Sequence, residues 1–487
     1  MSLIKKNILF NTLLSLSQIL FPLLTFPYAS RILGPSVIGK LNFVDSLTQY
    51  FVLFSAVGIP LYAVRELSKI RDDAHKSNKL FTELIILHLI TTVFFLIVYA
   101  IMLVLIENGY SYLHLGLIGF GILLSNVFII EWYFQSQEKF EYITKRTLVI
   151  RVIFIVLMFI LVKKQSDVTK YYLLFLLVNI INALANFHLA FKAGVSFVFD
   201  KLDLKKHIKP LLFLTACSVV GSVYVLLDNV ILGLLSNSKS VGYYSTAVKI
   251  TKVPISLINA LGVVLIPSIS ESFSNNDLES IKRYLNSSMQ YVLTLGIPLA
   301  FGIALTAKWT VLIIAGSQFT PAIQLITILS PIVVLIALNC IFFFQLFTPG
   351  GKEITMLIIL GISSVVSIVL NLLLIPHIQY LGTAITTTVT ELTVCILSLY
   401  YSKTLYNLTL NWRFLITPVV TSAIFIPIIY FIDSFLIASW IKLIIGAAIC
   451  MLMYYLIQRI LFKDRIILKM EAFAKDILKP MVKYGSN

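Results

Sequence analysis

The chain has 487 residues, 59% hydrophobic and only 12% charged, with a formal charge of +16 and a mean hydropathy of +0.95. A soluble domain carries about twice that charge fraction. Apolar runs of about 20 residues recur from end to end, which excludes a soluble domain on a single anchor and predicts an all-α polytopic membrane protein. In a soluble protein the positive balance would suggest nucleic acid. Here it reads as basic loops that hold helices in one orientation, and no nucleic-acid partner is expected.

The opening, MSLIKKNILFNTLLSLSQIL, imitates a signal peptide with two lysines ahead of an apolar stretch. That stretch is too long for a signal core and leads into no soluble domain, so it is read as the first span. Fourteen spans are predicted, at 8–30, 41–64, 81–105, 112–134, 147–163, 171–192, 210–235, 243–267, 287–307, 321–347, 354–375, 381–402, 414–432 and 436–461. With the N-terminus inside, the inner segments hold 28 of the 38 Lys and Arg residues and the outer segments hold 8. This bias predicts that both termini are cytoplasmic. Trp132 and Trp412 near inner ends, and Trp309 and Trp440 near outer ends, fit two aromatic belts. No connection is long enough for a catalytic domain. The tail 463–487 alternates basic and apolar residues and is expected to lie on the inner leaflet.

The two cations left over are Lys249 and Lys252, inside span 8. Ser245, Lys249, Lys252, Ser256 and Asn259 step by 4, 3, 4 and 3 and so share one helix face. Span 1 repeats the pattern with Asn11, Ser15, Gln18 and Pro22. Span 2 carries Asn42, Asp45, Ser46 and Gln49, and span 7 carries Thr215, Ser218 and Ser222 ahead of Asp228. Hydroxyls and amides alone can simply glue helices together. Two lysines six and nine residues below a helix end need water or an anion, because each costs about 2.5–3.5 kcal/mol near a span centre. Asp228 lies at similar depth and can neutralise one of them. Arg31 ends span 1, where Asp45 is a possible partner.

The chain also repeats weakly at an offset of 203 residues. Gly39 then falls on Gly242, Asn42 on Ser245, Ser46 on Lys249 and Gln49 on Lys252. Six spans separate the copies, so both enter the membrane in the same direction, as in two parallel bundles related by an axis along the membrane normal. Among the isolated acids, Glu131 reads as a packing carboxylate. Glu391, near the middle of span 12, fits either a proton or sodium site or a packing role. Pro22, Pro27, Pro254, Pro298 and Pro331 mark candidate hinges. The four cysteines are far apart and the six histidines never cluster, so no disulfide framework, metal or other cofactor is expected. PGGKE at 349–353 lacks the spacing of a phosphate loop, and no catalytic constellation is found.

Several short motifs resemble the O-antigen repeat-unit (Wzx-like) flippases of the multidrug/oligosaccharidyl-lipid/polysaccharide exporter superfamily. They are Tyr28-Ala29-Ser30-Arg31-Ile32-Leu33-Gly34-Pro35, Gly39, the stretch Gly58 to Glu66, Asp228-Asn229-Val230-Ile231-Leu232-Gly233, and Val241-Gly242-Tyr243-Tyr244. The resemblance implies two parallel six-helix lobes in a V around a central cavity, at 1–205 and 206–405, with two extra helices at 406–462. It implies movement of undecaprenyl-pyrophosphate-linked oligosaccharide across a bacterial inner membrane by a monomer, beside the polymerase and chain-length proteins of the same pathway. It places Arg31, Lys249 and Lys252 in a cationic cavity. The polar stripe Asn11, Ser15, Gln18, Asn42, Gln49, Ser218, Ser222, Ser256 and Asn259 would line that cavity, with Asp45, Asp228 and Glu391 left for ion coupling or charge pairing. The rivals are a multidrug/cation antiporter, which the two lysines disfavour, and an oligosaccharide polymerase or ligase, which the short outer loops disfavour.

Overall fold

The computed structural model of the chain describes residues 3–105, 109–262, 266–408, 411–462, 466–468 and 471. Most of the tail at 463–487 therefore lies outside the described residues. Among those described there are helices and connections but no strand, as expected where hydrocarbon leaves each backbone amide to find its partner within its own segment. Among the described residues eight helices are long and apolar enough to cross a membrane, or nine if the bent pair Ala322–Leu329 and Ile332–Phe347 is one span. Three more helices, Phe140–Leu161, Lys205–Leu235 and Ser238–Gly262, fall where spans were predicted. The chain divides into two compact units, Met1–Ser245 and Thr246–Asn487.

Two helical runs are too long for one crossing. Leu3–Ala56 and Glu353–Tyr406 each have 54 residues, about 81 Å of helix against a hydrocarbon core of about 30 Å. Each is broken at a residue with positive φ, Gly34 at 72° and Gln379 at 47°, so they fold as 3–33 with 35–56 and as 353–378 with 380–406. The second predicted span is broken too. Val57 and Gly58 both have positive φ, and the helix restarts as Ile59–Lys69 with proline in its first turn. Of the candidate hinges, Pro331 sits at a 42° bend, whereas Pro22, Pro27, Pro254 and Pro298 lie within helices.

In the first unit, helices 3–33 and 140–161 run side by side in the same direction. Three contacts share one register of 134 residues. Thr144 donates to the Phe10 carbonyl and Tyr28 to the Val162 carbonyl, at 2.9 and 2.8 Å, and Arg151 donates to Ser17. Arg146 is buried and pairs with Glu131 at 3.2 Å, the packing role expected for that carboxylate. A buried polar cluster ties the start of helix Lys205–Leu235 to its neighbours. Glu83, fully buried, receives the Asp203 amide, His207 Nε2 and Lys206 Nζ, and His207 Nδ1 meets the Tyr62 hydroxyl at 2.7 Å. Ile59, Leu67, Phe81, Leu84, Trp132 and Phe134 pack around this end of the unit.

In the second unit, helices Phe425–Asp433 and Ser439–Ile460 dock on Trp309 through Phe425, Ile429, Ile432, Cys450 and Tyr454. Tyr454 donates to the Thr294 carbonyl at 2.6 Å. Asp433 gathers three donors at the edge of this core: the Trp309 indole at 2.9 Å, Lys308 at 3.1 Å and Lys442 at 3.3 Å. Removing the carboxylate strands a buried indole N–H, which costs about 1–3 kcal/mol. Asp433→Ala is expected to lower the melting temperature of the detergent-solubilised protein by several degrees, whereas Lys308→Ala, which removes only an exposed partner, leaves it nearly unchanged.

Candidate functional site

Where the chain turns back at Gly34, about 42 Å along the helix from Lys6, two helices meet with almost nothing between their backbones. A β-carbon placed on Gly39 would stand 1.6 Å from the Ser238 carbonyl oxygen, and one on Gly242 would stand 2.0 Å from the Pro35 carbonyl oxygen. Small residues permit such an approach between membrane helices. The two contacts mirror one another. Pro35 and Ser238 are 203 residues apart, as are Gly39 and Gly242, so each glycine meets the counterpart of the residue that meets the other. Such reciprocity is the mark of a two-fold contact between like elements. One step along, Asn42 donates to Ser245 Oγ at 2.8 Å, again a pair separated by 203. The repeat read from the sequence is therefore the register in which these helices touch.

Side chains flank the seam. Asn229 donates to Ser46 at 3.2 Å, Tyr112 meets Ser238 at 3.2 Å, and the Phe43 ring lies over Gly233. Hydrogen bonds of this kind between membrane helices contribute about 0.6 kcal/mol each. The seam therefore combines close backbone packing with polar contacts of this kind.

The expected site residues distribute as follows. Asp45 receives Tyr172 at 3.4 Å and Gln49 at 3.5 Å. Tyr172 continues to Thr48, and Thr48 to Tyr99 at 3.0 Å, giving a chain of hydroxyls that leads from the carboxylate into the unit. Asp228 is buried and accepts from Tyr244 at 2.8 Å. Asn11, Ser15, Gln18 and Arg31 are exposed, and Asn42 and Gln49 are half-buried. Along the stripe of helix Ser238–Gly262, Ser245 is buried, Lys249 and Lys252 are exposed and Ser256 is half-buried. The side chains of Ser218, Ser222 and Asn259 lie outside the described residues. In the second unit Glu391 is buried and accepts the Asn339 amide at 2.9 Å. Asn339 stands one residue before Cys340 and the π-helical turn Ile341–Phe347, a local widening that often accompanies function.

Sequence reasoning missed Pro35, Ser238, Tyr172 and Asn339. The 203-residue offset carried the first two, since it already pairs Gly39 with Gly242. Asn339 was visible as a lone amide in ILSPIVVLIALNCIFFF. Nothing in the local sequence ties Tyr172 to Asp45.

These features define a polytopic membrane protein built on a helical repeat, with cations and amides on helices long enough to span. The chain belongs to the polysaccharide biosynthesis protein family, whose model matches residues 4–273. It is 25% identical over 411 residues to a protein of Escherichia coli (strain K12) described as "Putative O-antigen transporter", covering 82% of this chain and 97% of that one. It is 32% identical over 149 residues, 28% of this chain and 26% of the other, to the lipid II flippase MurJ of Bacillus subtilis (strain 168). The fold matches a solved structure of the lipid II flippase MurJ in an inward closed conformation, with a TM-score of 0.76, 16% identity and coverage of 94% of this chain and all of that one.

The seam makes a direct prediction. Cysteines replacing Asn42 and Ser245 are expected to be joined in native membranes by a short bifunctional thiol reagent. Adding Gly39→Val, whose side chain meets backbone and has no rotamer escape, is expected to reduce that joining to background, as read by the mobility of a chain cleaved between the two sites.

Proposed function

We propose that the chain is a flippase that moves a lipid-linked oligosaccharide, carried on a pyrophosphate, from the cytoplasmic to the outer leaflet of a bacterial inner membrane. The observation that carries this reading is the pair Lys249 and Lys252, exposed on one face of helix Ser238–Gly262. They lie about 17 and 21 Å from its start. Ammonium groups at that depth need water or an anion, and a pyrophosphate supplies charge and acceptors together. The hydroxyl and amide stripe suits the sugars. Family membership and the O-antigen and lipid II transport named for the relatives support the same substrate class.

In this reading both termini are cytoplasmic, and the Gly39–Gly242 seam closes the path on the outer side. Transport requires the seam to part while the opposite side closes. With the cell interior negative, outward movement of an anion is downhill by about 2.3 kcal/mol per charge per 100 mV. Asp45 with its hydroxyl chain, Asp228, and Glu391 with Asn339 are the candidate coupling acids. Asparagine can serve either protonation state of Glu391, since its amide donates to a carboxylate and its carbonyl accepts from an acid.

Lys249→Gln with Lys252→Gln is expected to abolish surface polysaccharide in a strain that depends on this chain, at normal protein level and with unchanged drug susceptibility. Normal display from the double variant overturns the assigned role, and drug hypersensitivity with normal display points instead to a drug antiporter.

A further inference from the structure

At the end of the first unit opposite the seam, three segments far apart in sequence line an open cavity of about 490 Å³. They are the N-terminus, the turn after helix Ile59–Lys69 and the turn before helix Phe140–Leu161. The charged part of the wall is Lys6, Arg71, Lys139 and Lys145 with Glu138 and Glu141. Glu141 takes both Lys6, at 2.5 Å, and Lys145, at 2.7 Å, and Glu138 takes Arg71 at 3.1 Å. Lys139 forms no ion pair among the described residues. Four cations against two carboxylates leave this wall at +2. Lys145 and then Lys6 hold the Glu141 carboxyl down at about 2, so this carboxylate stays charged across physiological pH.

A bias toward basic loops accounts for the sign of these charges but not for their convergence on one cleft. Glu138 is held in a left-handed conformation, φ 56°, that non-glycine residues seldom adopt, and its carboxylate reaches back to Arg71 across the opening. Cations that share a carboxylate can exchange it for a second anion at little cost, because exposed ion pairs are weak. Lys6 lies in the first turns of a membrane-spanning helix, which sets the cavity at the level of lipid headgroups.

We propose that this cavity binds the phosphoryl group of a lipid at the cytoplasmic surface, as a second anion site apart from Lys249 and Lys252. Basic pockets between helices on that side of a membrane suit anionic headgroups, and a wall charge of +2 matches a doubly charged pyrophosphate diester. The proposal rests on the orientation adopted above and not on any role for the two lysines of helix Ser238–Gly262.

The test uses the purified full chain carrying Lys249→Gln and Lys252→Gln, in phosphatidylcholine nanodiscs, with inorganic pyrophosphate as the probe and binding read by microscale thermophoresis. Adding Arg71→Gln and Lys139→Gln is expected to weaken binding about 25-fold, the effect of two surface cations beside a headgroup. Arg71→Lys with Lys139→Arg is expected to retain it, which separates a lost site from a lost fold. Equal binding with and without the two Gln changes overturns the proposal and leaves the flippase reading untouched. Nanodiscs of phosphatidylcholine and phosphatidylglycerol in a three-to-one ratio distinguish the source. Weakened pyrophosphate binding there identifies an ordinary anionic phospholipid as the occupant, and unchanged binding identifies a lipid-linked pyrophosphate.

Discussion

Hydrocarbon solvates neither a peptide group nor an ammonium ion, and the organisation of this protein follows from that refusal. The first half of the rule makes the described chain helical, and its longest runs are interrupted at points such as Gly34, Val57–Gly58, Pro331 and Gln379. The second half makes every polar group within a helix a question about its partner. Most have an evident structural answer. Glu131 has Arg146, Glu83 has His207 and Lys206, and Asp228 has Tyr244. Lys249 and Lys252 are exposed on one face of helix Ser238–Gly262, and a ligand that brings its own charge is the partner proposed for them.

The glycine seam lies upstream of those lysines on the same helix. Close backbone contact through Gly39 and Gly242 brings the start of helix Ser238–Gly262 against the helix that begins at Pro35. Polar residues follow each seam glycine toward the C-terminus, Asn42, Asp45 and Gln49 after Gly39, and Ser245, Lys249 and Lys252 after Gly242. Hydrogen bonds contribute little at such contacts, which suits the closure proposed for the seam. The second basic cluster, at Lys6, Arg71, Lys139 and Lys145, stands at the other end of the first unit. Two anion sites at two depths would let a charged headgroup be captured at the surface before it enters the hydrocarbon.

Much of this was legible in the sequence because it is periodic. Helical steps of three and four showed the stripes, and the offset of 203 residues named Asn42 and Ser245 as equivalents before they were seen in contact. The breaks at Val57–Gly58 and Gln379 were less visible. Gly58 gives a signal, but Gln379 has no residue-type preference for positive φ and is fixed by its surroundings. The hydroxyl chain from Asp45 was beyond sequence reasoning, since Tyr172 lies 127 residues away on another helix. The cavity at Lys6 was hidden for the same reason. Each of its segments reads as an ordinary basic loop, and only the parallel packing of helices 3–33 and 140–161 brings them together.

The central claim is that Lys249 and Lys252 hold the pyrophosphate of the transported lipid. An electron-cryomicroscopy map of the protein bound to a short-chain polyprenyl-pyrophosphate saccharide tests it most directly. The account predicts phosphate density at charge-assisted hydrogen-bond distance, about 2.7–2.9 Å, from both lysine Nζ atoms. A map in which both amines point into lipid or are sequestered by carboxylates, with the pyrophosphate bound elsewhere, contradicts it.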